Sequence, residues 1–99
     1  MINRARDVIR ESVVERKVCD YAESLGWFQF KLTSSGTRGV PDRIYFRNCE
    51  TLLIEFKSET GKLSSYQKYF IEKLTDSGAV VEVIHSVEAG KAIFDAYEV

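Results

Sequence analysis

Three charged residues in one short segment have the types and spacing of a hydrolytic site. Asp42 follows the chain's only proline, Pro41, and Glu55 and Lys57 stand two residues apart at the end of an apolar run. Residues at positions i and i+2 of a strand project from the same face, so Glu55 and Lys57 are neighbours if the run is a strand. Charges at the end of a buried strand are costly unless they are paired or used. The segment predicts either a hairpin with charged ends or an assembled catalytic site.

Asp42 and Glu55 together predict a site for a divalent cation. If the strand that begins at Asp42 pairs with the strand that ends at Lys57, the two carboxylates lie near each other across the ladder. Two close carboxylates repel unless a cation lies between them, and Mg²⁺ is the expected oxygen-binding ion. Such an ion can bind a phosphate oxygen and activate a water, while Lys57 holds the water or stabilises charge developing on phosphorus. Phosphodiester hydrolysis requires this combination.

The first element that must position these groups is a helix over residues 5–25. Its apolar stripe recurs at alternating steps of four and three, and Gly26 ends it. The N-terminal part of the same stripe carries Glu11 and Glu15. Glu15 could reach the cluster and complete the outer shell of the metal or hold a second ion, and Glu11, one turn earlier, is the alternative.

Four segments have the alternation or the apolar, β-branched composition of strands. They are residues 27–32, 42–47, 52–57 and 79–84, with residues 48–51 connecting the second and third as an antiparallel hairpin. In the first strand, Phe28, Phe30 and Leu32 share one face. Gln29 and Lys31 share the other face. Pro41 cannot donate to a sheet ladder, so the second strand is expected to start at or just after it.

Two further helices complete the predicted order. Residues 64–77 form the first, with Ser64 and Gln67 spaced as a capping box; whether Gln67 only caps the helix or also serves the site is left open. Ser86 caps the second, which runs towards Tyr97. A helix between two strands favours a parallel crossover. The order α-β-β-β-α-β-α predicts an α/β fold, a mixed sheet flanked by helices, in a single domain over residues 1–99.

Composition limits the function classes. The chain has 99 residues, 44% of them hydrophobic, and a formal net charge of −1. This indicates a folded domain and argues mildly against a non-specific nucleic-acid coat, although a local basic groove remains compatible with it. No apolar run is long enough to span a membrane, and Cys19 and Cys49 have no partners at metal-ligand spacing. We therefore expect free thiols and a cytoplasmic protein.

The ordered motifs resemble a known nuclease family. "GVPD", a gap of 12 residues and "EFK" reproduce the PD-(D/E)XK nuclease signature, and the order of elements resembles that superfamily's restriction-endonuclease-like core. The fuller pattern runs from the carboxylates of the first helix through "KLTSSGTRGVPDR" and "IEFK" to "GKLSSYQ". It resembles the virus-type replication-repair nuclease (VRR-NUC) domain of the stand-alone phage and bacterial type, over nearly the whole chain.

The resemblance implies a role for each matched residue. The implied metal ligands are Asp42, Glu55 and the main-chain carbonyl of Phe56, with Lys57 as the catalytic lysine, Glu15 as the helix-borne carboxylate and Gln67 as a supporting catalytic residue. It also implies a Mg²⁺-dependent endodeoxyribonuclease, with Mn²⁺ as a substitute. The implied substrate is branched DNA such as Holliday junctions, cut by a homodimer in DNA repair within a bacterial or phage-infected cell.

Four basic residues are candidates for phosphate contacts, namely Lys31, Arg38, Arg43 and Lys62. The alternative for each is an ordinary solvated charge. Trp27 and the tyrosines are expected in the core or at a dimer interface rather than as platforms for base stacking.

Two other functions compete with cleavage. A non-cleaving nucleic-acid-binding or assembly module of the same fold predicts the loss of Asp42, Glu55 or Lys57, and all three are present. A small interaction protein with incidental charges predicts neither metal binding nor an effect of Mg²⁺ on stability.

Overall fold

A computed structural model describes residues 9–98 of the chain. Seven elements follow one another in the predicted order: α1 (Glu11–Ser24), β1 (Phe28–Lys31), β2 (Arg43–Arg47), β3 (Glu50–Phe56), α2 (Ser65–Asp76), β4 (Val81–Ile84) and α3 (Val87–Asp95). The strands form one sheet in the order β1-β2-β3-β4, antiparallel except for the parallel pair β3–β4. The mixed α/β sheet flanked by helices and the parallel crossover are confirmed. None of the helices in residues 9–98 has the length and apolar character to cross a membrane.

Helix α1 starts later than the helical stripe predicted. Ile9 and Arg10 are not helical, and Arg10 stands at the N-cap with an extended backbone and no side-chain cap. The first part of the predicted helix, residues 5–8, lies outside the described residues. The predicted stop is correct, because Gly26 takes the left-handed conformation, with φ of 91°, that commonly follows a helix end.

The hairpin between β2 and β3 is tighter than the four-residue connection predicted. Arg47 pairs directly with Glu50, so only Asn48 and Cys49 form the turn. Both have positive φ, 48° and 67°, as a two-residue turn that matches the twist of its strands requires. No glycine marks this turn, and the signal in the sequence was Asn48, which tolerates the left-handed region better than most residues.

One face of the sheet is buried beneath α1 and α3. Its core consists of Val14, Val18, Cys19, Ala22, Trp27, Tyr45, Leu52, Ile54, Phe56, Ile84 and Phe94. Trp27 packs edge-on against Phe94, with ring centroids 5.2 Å apart. This core holds the end of β3 in place, because Phe56 is fully buried and its neighbours in sequence must therefore project from the opposite face.

The opposite face of the sheet is only partly covered. Helix α2 lies on it, where Gln67 reaches Glu55. The alternation predicted for β1 is present, but its apolar side is the exposed one, and Phe28 and Phe30 are 64% and 45% exposed. Gln29, on the covered side, contacts polar partners on α1 and β2.

Candidate active site

The antiparallel pairing of β2 and β3 brings Asp42 opposite Glu55. Arg43 pairs with Ile54, so the residue before Arg43 faces the residue after Ile54. Asp42 Oδ2 accepts a hydrogen bond of 2.7 Å from the backbone N–H of Phe56. The side chain of Asp42 is thereby anchored to the end of β3, on the strand that carries Glu55.

Glu55 is the buried charged group of this site. It is 2% exposed, and its Oε2 accepts a hydrogen bond of 2.9 Å from Gln67 Nε2. Lys57 Nζ lies 3.6 Å from the same oxygen. Burial and the charge of Asp42 raise the pKa of Glu55 to about 7, although Lys57 opposes the shift. The lysine therefore compensates only part of the negative charge.

Asp42 is also incompletely compensated. Burial raises its pKa, and the hydrogen bond from the Phe56 N–H and the charges of Lys57 and Lys31 oppose this shift. Two carboxylates with raised pKa values, facing each other across a ladder, form a place where a cation is stabilising.

Gln67 caps its helix and also contacts Glu55, while its role in catalysis stays a prediction. Ser64 Oγ accepts from the Gln67 N–H, and Gln67 Oε1 accepts from the Ser64 N–H at 2.8 Å, so the capping box is confirmed. The other end of the same amide, Nε2, donates to Glu55. One side chain therefore joins the start of α2 to the buried carboxylate.

The two helix carboxylates have different surroundings. Glu15 Oε2 accepts from Arg43 Nε at 2.5 Å. Glu11 has its pKa raised by burial and then by the charge of Asp42, while Lys57 lowers it. Both helix carboxylates therefore lie within the electrostatic field of the site, since the charge of Glu15 also raises the pKa of Asp42, but the direct partner of Glu15 is Arg43. The metal role of Glu15 stays a prediction.

The four candidate phosphate contacts lie in different settings. Arg43 is half-buried and also donates to Gln29 at 2.7 Å, so its guanidinium is used inside the protein. Lys31 is exposed and lowers the pKa of Asp42. Lys62 is exposed in the loop before α2, and the exposed Arg38 lies over the ring of Tyr66. Lys31, Arg38 and Lys62 are therefore available to a phosphate, and their role stays a prediction.

The donor set can be tested for its fit to a divalent ion. Within residues 9–98, no three His, Cys, Asp or Glu side chains are already gathered as a ligand cluster. Mg²⁺ needs no such cluster, because it is usually held by one or two carboxylates and keeps several waters. Asp42, Glu55 and the Phe56 carbonyl fit that pattern, and the charge of Asp42, after burial, raises the pKa of Glu55, a repulsion that a cation between the two carboxylates would relieve.

Gly39 sets the distance between the segment that leads into Asp42 and helix α2. Its φ is 90°, and a Cβ there would stand 2.3 Å from the carbonyl oxygen of Tyr66 and 3.0 Å from the backbone nitrogen of Gln67. The backbone before Asp42 thus touches the first turn of the helix that presents Gln67. The sequence indicated this glycine only through the GVPD motif and did not predict the contact with α2.

We expect Gly39→Ala to destabilise the protein by about 2–3 kcal/mol, because the substitution combines backbone strain with a clash against a backbone carbonyl. Gly36→Ala is the matched control, since nothing lies within 4 Å of its Cβ position; its effect should stay within about 0.5 kcal/mol. Urea unfolding of the two variants measures the difference. Equal stabilities would contradict the close approach.

Three comparisons with known proteins bear on this geometry. Residues 6–88 match the model of the VRR-NUC domain. "Putative nuclease p44" of Acyrthosiphon pisum secondary endosymbiont phage 1 is 31% identical over 80 residues, covering 80% of this chain and 86% of the phage protein. A solved structure described as a VRR_NUC domain superposes with a TM-score of 0.80 and 26% identity, over 88% of this chain and 96% of the other.

Proposed function

Because the chain belongs to the VRR-NUC family, we propose that it is a Mg²⁺-dependent endonuclease that hydrolyses phosphodiester bonds in branched DNA as a homodimer. The resemblance drawn from the GVPD, EFK and GKLSSYQ motifs is confirmed. The family and the phage relative support the coarser statement, that the chain is a nuclease acting on DNA. The observation that carries the metal-dependent hydrolysis in this proposal is the placement of Asp42, Glu55 and Lys57 on one face of the sheet, where β3 ends.

Asp42, Glu55 and the Phe56 carbonyl are the groups that would hold the ion. Mg²⁺, or Mn²⁺ in its place, supplies Lewis acidity towards the phosphate and lowers the pKa of a water. Asp42 Oδ2 and Glu55 Oε2 already accept hydrogen bonds from Phe56 and Gln67, so the second oxygen of each carboxylate is the one suited to a cation.

Lys57 and Gln67 both contact Glu55, and Lys57 is also the residue suited to act on the substrate. Lys57 is the cation nearest the buried carboxylate, and its ammonium can stabilise the negative charge that grows on the phosphate during attack. Gln67 fixes the orientation of Glu55 by donating to one of its oxygens. Because Gln67 is itself held by the capping box, this orientation is set before substrate binds.

An aromatic cluster supports the homodimer. Phe28, Phe30 and Phe46 lie together on the uncovered side of the sheet, with ring centroids 6.0 to 6.4 Å apart. The first two are about half exposed or more, and β1 is an edge strand. Exposed apolar patches mark interaction surfaces, and a second copy related by a twofold axis would cover this cluster with itself. Two sites are what cutting both strands of a junction requires.

The test is a cleavage gel with labelled four-way junction, flap and linear duplex, each with Mg²⁺, Mn²⁺ or EDTA. We expect the junction to be cut with either ion and no cutting in EDTA. Asp42→Asn keeps the side-chain shape and a hydrogen-bond acceptor but removes the charge, so we expect it to be inactive. Its inactivity, after the same purification, would show that the cutting does not come from a contaminating nuclease.

Cutting in EDTA, or undiminished cutting by Asp42→Asn, would overturn the metal site. Equal cutting of all substrates would overturn only the preference for branched DNA. The DNA substrate also leads us to place the activity in the cytoplasm of a bacterial or phage-infected cell.

A further inference from the structure

The loop between β3 and α2 joins the two residues that contact Glu55. It consists of residues 58–63, between Lys57, which directly follows β3, and Ser64, the N-cap of α2. Lys57 Nζ lies 3.6 Å from Glu55 Oε2, and Gln67, in the first turn of α2, donates to the same oxygen at 2.9 Å. The path of this loop therefore links the positions of the two partners of Glu55.

A tight turn brings the loop against the stem of Lys57. The Gly61 N–H donates to the Ser58 carbonyl at 3.0 Å. A Cβ at Gly61 would stand 3.0 Å from Ser58 Oγ and 3.4 Å from Lys57 Cβ. Because glycine has no side chain, the turn can lie directly beside the lysine. A displaced turn would change the space that is open to the Lys57 side chain.

His85 contacts this turn from the neighbouring strand. β3 and β4 run parallel, and the Lys57 N–H donates to the Ile84 carbonyl at 2.8 Å, so His85 directly follows the residue that bonds to Lys57. His85 Nε2 lies 3.1 Å from the Gly61 carbonyl oxygen. Since a carbonyl only accepts, the imidazole donates from Nε2, which its cationic form and one neutral tautomer can both do.

The contact with His85 is the main polar anchor of the loop. Within residues 9–98, it is the only hydrogen bond that joins residues 58–63 to another part of the fold. His85 is half-buried, whereas three residues of the loop are exposed, namely Glu59, Thr60 and Lys62. A segment with few buried contacts opens locally at low free energy, so loss of this bond should loosen the loop more than the sheet.

We propose that His85 is a positioning residue that, through this loop, keeps both partners of Glu55 in place. The inference rests on the proposed nuclease function and adds a residue from the end of β4 to the elements that support the site. His85 contacts the loop backbone, so its effect on the reaction is indirect. The effect can still be large, because a misplacement of about 1 Å can cost about a hundredfold in rate.

Two replacements of His85 separate its hydrogen bond from its bulk. His85→Phe keeps a ring but cannot donate, whereas His85→Gln keeps an N–H donor at a similar reach. With a four-way junction and Mg²⁺, we expect His85→Phe to lower kcat about tenfold to a hundredfold and to change KM less than about twofold. His85→Gln should stay within about threefold of the wild-type kcat, because the donor is retained. Urea unfolding at the assay temperature should show both variants fully folded.

Hydrogen exchange of single amides tests the loop without requiring cleavage. In His85→Phe, the amides of Gly61, Ser64 and Gln67 should exchange about tenfold faster than in the wild type, while amides in the middle of β3 keep their rates. A general loss of stability would instead speed exchange across the sheet as well. His85→Gln should exchange like the wild type.

Gly61→Ala tests the other end of the same bond and decides the case if His85→Phe does not fold. The added methyl group would press on Ser58 and Lys57 and displace the turn, so kcat should fall at least about tenfold. When Gly61→Ala and His85→Phe are combined, the two losses should not multiply, because both displace the same turn.

An undiminished kcat in folded His85→Phe, a lack of rescue by His85→Gln or unchanged exchange of the loop amides would overturn the positioning role. An inactive wild type would instead refute the nuclease proposal. The exchange rates would still decide in that case whether His85 holds the loop.

Discussion

Replacing Glu55 by Gln should abolish cleavage and at the same time stabilise the metal-free protein above pH 7. The loss of activity should be about a thousandfold or more, since the variant removes a charged carboxylate from the proposed metal site. The gain in stability arises because Glu55 is buried opposite Asp42 and its pKa is raised from 4.5 to about 7.

The direction of the pH dependence follows from proton binding. Between pH 4.5 and 7 the folded protein holds a proton on Glu55 that the unfolded chain has released, so the folded state loses stability as pH rises through this window. The full penalty of about 3 kcal/mol is present above pH 7 and absent well below pH 4.5. Gln67 can still bond to a glutamine at this position.

Urea unfolding in EDTA checks this expectation. Glu55→Gln should exceed the wild type by about 1 kcal/mol at pH 5 and by about 3 kcal/mol at pH 8. Glu59→Gln removes an exposed carboxylate from the following loop and should stay within about 0.5 kcal/mol at both pH values. Added Mg²⁺ should stabilise the wild type but not Glu55→Gln. A pH-independent difference would refute the buried charge as its cause.

Lys57→Met should lower kcat by about a hundredfold to a thousandfold while leaving the affinity for DNA nearly unchanged. Methionine keeps the apolar stem of the half-buried side chain and removes the ammonium 3.6 Å from Glu55. The same change removes a group that lowers the pKa of Glu55, so that pKa should rise further. Mg²⁺ binding, which needs the ionised carboxylate, should then require a higher pH than in the wild type.

Steady-state kinetics with a junction substrate and Mg²⁺ titrations at several pH values measure the two effects. Lys62→Met is the control, since it removes an exposed ammonium from the next loop, and we expect it to raise KM without lowering kcat. Unchanged kcat for Lys57→Met, or an unchanged pH for Mg²⁺ binding, would refute the role of Lys57 at this carboxylate.

The elements of the fold were predictable wherever the local sequence signal and the pattern of burial indicate the same element. The stripe of α1, the Ser64–Gln67 capping box and the β-branched run of β4 each have one dominant signal, and all three elements are present. The exposed side of β1 was not predictable in this way. Alternation identifies two faces of a strand, but which face meets the core depends on where α1 packs, and Phe28 and Phe30 lie on the uncovered one.

The approach of Asp42 to Glu55 was predictable because pairing between adjacent strands converts spacing in the sequence into distance. The strands β2 and β3 predicted that Asp42 and Glu55 lie near each other, but their direct pairing depends on the two-residue turn, since the four-residue connection predicted would have placed Asp42 opposite Lys57. The helix carboxylates could not be ranked, since Glu11 and Glu15 share a stripe. Their surroundings depend on where α1 begins and on Arg43, which reaches Glu15 from another element.

Gln67 gives the start of α2 a chemical restriction that a helix alone would not impose. A capping box accepts glutamate as readily as glutamine at its third position, because only an oxygen acceptor is needed there. Here the nitrogen of the same side-chain amide, Nε2, must donate a hydrogen bond to Glu55, which an ionised carboxylate cannot do. Gln67→Glu, although neutral for helix initiation, would place a third anion beside Asp42 and Glu55. The charge of the candidate active site therefore restricts the third position of this capping box to glutamine.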